Sequence, residues 1–202
     1  MATVYRVRAV WSGFQGAPGY SNFSFMDLTT DAARNAAGAG VKNFFTSLAG
    51  FLSTAWSISV QGEVTEWDMA TGQLTGAATM TTVPTAQVGT GTPAAYAGGS
   101  GLCVTWKTGL IFNGRRVIGR TFVVPALGCY ETDGTLTAGA ITAANTAATQ
   151  LIGVSGADFA IWAKTFTKPT DGTKPVQIGG NLAPATSYAV KDMASQLRSR
   201  RT

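Results

Sequence analysis

Apolar and polar positions alternate from residue 3 to residue 11: Tyr5, Val7, Ala9 and Trp11 fall on one side, Arg6 and Arg8 on the other. A period of two predicts a strand with one wet face. Gly13, Gly16, Pro18 and Gly19 then break the chain into a loop. Beyond Thr30 the period lengthens, and Ala37, Val41, Phe44, Phe45, Leu48 and Leu52 form one helical stripe. Thr30 is placed to cap this helix and Asp31 suits its first turn. Gly38 and Gly40 each cost about 1 kcal/mol relative to Ala in a helix, so they are expected to serve close packing against a sheet. Residues 55–80 read as a hairpin. Trp56, Ile58, Val60, Val64 and Trp67 lie on the outgoing strand, Asp68 to Gly72 have turn chemistry, and Gln73 to Met80 return. Gly62 interrupts the alternation and marks a candidate bulge.

From 81 to 101 the chain is Thr, Ala, Gly and Pro with few large apolar residues, which predicts a long loop or an arm. Strand signals return at 102–110 and 115–124, about an Asn113-Gly114 hairpin turn. A second helix is expected from Thr137 or Ala138 to Ile152, with Ile141, Ala144, Ala148, Leu151 and Ile152 on one face and Gly153 as its C-terminal cap. Residues 159–166 alternate as a strand does, 175–178 suit another, and 186–197 suit a strand or a short helix. No internal repeat is visible. Strands and helices do not alternate one for one, which argues against a doubly wound parallel sheet. The expected fold is mainly β with two helices, an antiparallel β-sandwich of jelly-roll-like form. The alternative is α+β with one antiparallel sheet. One domain over 1–202 is expected, with the loop or arm at 81–101 and a basic tail at 195–202.

Composition sharpens this picture at the surface. Charged residues make up 12% of the 202 positions, against about 25% in an ordinary soluble protein. Much of the exterior must therefore be Thr, Ser, Gly, Ala or covered interface. The formal charge is +5, and two clusters, Arg115, Arg116, Arg120 and Arg198, Arg200, Arg201, exceed that excess by themselves. Arginines so grouped suit phosphates, other polyanions or an acidic neighbour. The plainer account is a charged strand edge and a solubilising tail. Cys103 and Cys129 form no disulfide framework and stand as free thiols or one bridge. Neither a secretion signal nor an apolar run of membrane-spanning length is visible, so no membrane partner is expected.

Histidine is absent, which removes His-based triads and the commonest metal sites. No phosphate-cradling glycine motif follows a strand. Glu63 and Glu66 are three apart and point to opposite faces of a regular strand; Glu131 and Asp133 share a face but sit in turn-like sequence. Solvated turn charge explains both pairs better than a hydrolase site. No enzyme activity and no cofactor is expected. Trp11, Trp56, Trp67, Trp106 and Trp162 can stack on sugars where exposed and fill a core where buried.

The elements Gly114-Arg115-Arg116 and Gly119-Arg120-Thr121-Phe122-Val123-Val124-Pro125, the hairpin from Glu63 to Gly76 and the ending Gln196-Leu197-Arg198-Ser199-Arg200-Arg201 resemble small virus and phage structural proteins. The resemblance implies a virion protein, a self-assembling capsid subunit of single jelly-roll type. Its partners would be copies of itself, other virion proteins and packaged nucleic acid, and its location the virion. The alternative is a phage tail, decoration or receptor- or glycan-binding module. One departure is plain: the chain opens on a strand where many such coats carry a long basic arm. Genome contact would then fall to the C-terminal arginines.

Overall fold

The computed structural model describes residues 3–14, 18–50, 52, 55–90, 99–112, 115–118, 122–125, 138–155, 159–168 and 176–177. Among them are ten strands, every pairing antiparallel, and two helices. The mainly β reading with two helices therefore holds. The elements of the first half are β1 (Thr3–Ser12), β2 (Gly19–Phe25), α1 (Asp31–Ala49), β3 (Trp56–Asp68), β4 (Leu74–Thr79) and β5 (Gln87–Gly89). They form a sheet of order β2-β1-β3-β4, with β5 also on β3.

Alternation in β1 does what its period demands. Tyr5, Val7, Ala9 and Trp11 are buried, while Arg6 and Arg8 lie on the other face. All six stripe residues predicted for the first helix are fully buried. Phe45 is the hub of this core, with its ring 5.2 Å from Phe14, 5.8 Å from Phe23 and 5.4 Å from Phe44, each edge to face. That arrangement suits the aromatic quadrupole. Thr30 caps α1 as expected, its hydroxyl accepting from the Ala33 N–H at 3.2 Å.

Gly62 does mark a bulge. Val7 pairs with Val64 and Ala9 with Val60, so Gln61, Gly62 and Glu63 stand opposite Arg8 alone. β2 is not legible in the sequence, because Ser21, Asn22 and Ser24 dilute its apolar pattern. Its inward side becomes intelligible only in place: Phe23 and Phe25 are buried, and Ser21 accepts a hydrogen bond from the Trp11 indole at 2.9 Å.

The second half holds β6 (Gly99–Phe112), β7 (Arg115–Ile118), β8 (Phe122–Pro125), α2 (Ala138–Ser155), β9 (Phe159–Lys168) and β10 (Val176–Gln177). Its sheet runs β10-β9-β6-β7, with β8 also on β6. Three expectations need correction here. The strand expected over 115–124 is two short ones, both paired to β6. The loop or arm expected over 81–101 includes β5, and β6 begins at Gly99; the bare backbone of Gly89 packs on the Trp56 indole, which seats β5 on β3. Gly153 does not cap α2, which continues to Ser155. Its cost of about 1 kcal/mol within a helix is offset by packing Val154 against the core.

Although the sequence shows no repeat, the connectivity does. A long central strand (β1 or β6) pairs first with a following strand segment (β2, or β7 and β8). A helix comes next, and then a strand (β3 or β9) pairs on the other side of the central one and carries a hairpin partner (β4 or β10). α1 packs on β1 and β3, α2 packs on α1 and on β9, and Ala147 and Leu151 of α2 complete the first core. Helix α1 thus covers the buried face of the first sheet, the place a second sheet would take in a sandwich. Gly40 serves this helix contact rather than the sheet contact expected of it: a Cβ there would lie 2.7 Å from the Gln150 carbonyl oxygen.

Candidate interaction surface

The face of the first sheet opposite α1 brings together residues far apart in the chain. Arg6 and Arg8 stand on β1, Tyr20 and Asn22 on β2, and Thr65 and Trp67 on β3; register places Asn22 opposite Arg8 and Thr65 opposite Arg6. The Arg6 guanidinium carbon lies 4.5 Å from the Trp67 ring centroid, and that of Arg8 lies 4.9 Å from the Tyr20 centroid. Both are cation–π distances. Arg8 also donates to Asn22 at 3.0 Å, and the Trp67 indole donates to Thr65 at 2.9 Å. Burial pushes the Arg6 pKa down. Basic and aromatic side chains interleave here, a pattern that suits polyanions. The alternation in β1 announces its two arginines; only the pairing of β2 and β3 supplies the rings.

The edge of this sheet is the second feature. β4 pairs with β3, and no other strand pairs with it among the described residues. Its near end is held by a turn built around Asp68, a buried carboxylate whose Oδ1 accepts from the Ala70 N–H at 2.9 Å and the Thr71 N–H and hydroxyl at 2.6 and 2.9 Å. Those bonds, the Thr71 N–H first, hold the Asp68 pKa below the usual carboxylate range. Gly72 closes the turn at φ 71°, a conformation glycine adopts freely. At the far end Arg34 of α1 pairs with Asp31 and donates to the Leu28 carbonyl at 3.0 Å and the Thr79 carbonyl at 3.3 Å. Asn35 donates to the Thr81 hydroxyl and accepts from the Thr82 N–H. β4 is therefore pinned at both ends and open along its outer side.

Of the arginines singled out in the sequence, Arg115 and Arg116 begin β7, opposite Phe112 and Ile111 of β6. Arg120, Arg198, Arg200 and Arg201 lie outside the described residues, as do Cys129, Glu131, Asp133 and the stretch 186–197. Glu63 is exposed, whereas Glu66 lies opposite Tyr5 and, after burial, is the next cause of the raised phenol pKa. The two glutamates share no site. Trp11 is buried and Trp56 packs against the core. No group of His, Cys, Asp or Glu suited to a metal occurs among the described residues, and no helix among them is long and apolar enough to cross a membrane. No family model, no curated protein and no solved structure matches this chain.

Proposed function

We propose that the chain is a virion structural protein, a coat subunit without catalytic activity that assembles with copies of itself. One observation carries this reading: from Met69 to Trp106 there is no ionic side chain, and residues 69–90 of that stretch lie largely at the surface. Leu74 is 57% exposed and Val88 80%. An isolated soluble domain ordinarily breaks such a surface with Lys and Glu. Contacts between subunits that bury about 1,200–2,000 Å² each put the same surface to use. The single jelly-roll form of this proposal would set two sheets face to face; the helix-covered first sheet favours the α+β alternative within the same function. Packaged nucleic acid is the polyanion this role implies, with Arg6 and Arg8 joining the arginines at 115, 116, 120, 198, 200 and 201 as contacts.

The test is sedimentation and negative-stain microscopy of purified chain at low and high salt. Regular particles are expected, and any bound nucleic acid should be shed steeply as salt rises. A chain that stays monomeric at high concentration in both buffers overturns the proposal.

A further inference from the structure

The open side of β4 has a self-complementary geometry. The Met80 N–H donates to the Gly62 carbonyl at 2.8 Å. Backbone groups alternate in direction along a strand, so Ala78 and Gly76 also turn theirs toward β3. Ala77 and Thr79 therefore turn their N–H and C=O groups outward, while Thr75 is the extra residue of a bulge and falls outside this alternation. The Thr79 carbonyl accepts from Arg34 and keeps a second lone pair; no bond to the other outward groups is seen within the described residues.

Natural sheets guard such an edge with Lys, Pro, a charge or a cover. β4 reads Leu-Thr-Gly-Ala-Ala-Thr, with Leu74, Thr75, Ala77 and Thr79 exposed and neither charge nor Pro present. Its single irregularity, opposite Glu66 and Trp67 of β3, makes Thr75 an extra residue near the turn end.

We infer that β4 is a docking edge for β4 of a second copy, paired antiparallel about a two-fold axis through Ala77. Ala77 exchanges N–H···O=C bonds with its own counterpart, and Thr79 of each copy stands opposite Thr75 of the other. Hydroxyl faces hydroxyl across the axis, a favourable cross-strand pair, and no like charges meet. A closed, isologous contact results, and the two sheets become one continuous sheet. The inference names the contact that the proposed self-assembly would use, and its biological meaning rests on that reading.

The experiment compares self-association of the full chain with that of Ala77→Pro, which removes only an outward N–H, and of Ala77→Lys, which adds the missing guard. Circular dichroism and thermal melting report whether each variant is folded. Both variants are expected to weaken dimerisation roughly tenfold or more, since neutral hydrogen bonds lost in symmetry-related pairs are each worth a factor of several. Independently, Ala77→Cys in a background of Cys103→Ser and Cys129→Ser should oxidise to a covalent dimer, because directly opposed residues bring their Cα atoms to about 5.5 Å. Thr75→Cys alone should not, but mixed with Thr79→Cys it should. Wild-type chain that associates while Ala77→Pro and Ala77→Lys associate equally well, with no cross-link formed by Ala77→Cys, overturns this contact and leaves the coat reading standing. A covalent Ala77→Cys dimer, in a chain that never grows into particles, supports the contact and overturns the coat reading.

Discussion

Gly38 and Gly40, two residues apart on α1, should answer the same substitution in opposite ways. Alanine at either gains about 1 kcal/mol of helix propensity. At Gly38 the new methyl would meet the Met80 sulfur, 2.6 Å away, the far part of a flexible side chain that can turn aside. At Gly40 it would meet the Gln150 carbonyl, which can yield only if α2 moves. Gly38→Ala is therefore expected near neutral in thermal melting and Gly40→Ala destabilising by about 1–3 kcal/mol, the range for overpacking; equal melting temperatures would refute this account of the helix contact. Asp68 supplies a pH test. Its folded pKa is depressed, so its contribution to stability is complete above the unfolded value of about 3.9 and is lost as pH falls through the folded one. The melting temperature of Asp68→Asn should thus fall less than wild type's on acidification through that window. Parallel curves would show that the turn does not depend on this carboxylate's charge.

Elements are legible where one period runs unbroken, and obscure where a neighbour supplies the reason for them. β1, α1 and the β3–β4 hairpin announce themselves: β1 and α1 bury the residues their patterns put on one side, β3 buries Ile58, Val60 and Val64, and Thr30, Gly62 and Asp68 punctuate them as their chemistry suggests. Removing the cap hydroxyl with Thr30→Ala should cost about 1 kcal/mol in denaturant unfolding; no change would mean that the Ala33 N–H finds another acceptor at no loss. β2 escapes because its polar positions make sense only once Trp11 reaches Ser21, and β5 because glycine looks like loop until an indole lies against it. The end of α2 is misplaced because packing of Val154 outweighs the local signal of Gly153. The outer Arg–aromatic face is half visible for the same reason: strand parity exposes Arg6 and Arg8, whereas the register that adds Tyr20 and Trp67 joins strands from opposite sides of α1.

At the scale of the molecule, the charge-poor exterior is the feature composition discloses, and the twofold use of one connectivity is the feature it conceals. Among the described residues no strand of the first sheet pairs with one of the second, and the halves meet chiefly through α1 and α2. The chain passes from one half to the other once, between Gly89 and Gly99. Severing it there breaks no strand pairing among the described residues. Fragments 1–94 and 95–202, produced together, should therefore find one another and co-purify as a heterodimer with the circular dichroism of the intact chain. A Gly40→Val change, which wedges the helices apart, should separate them.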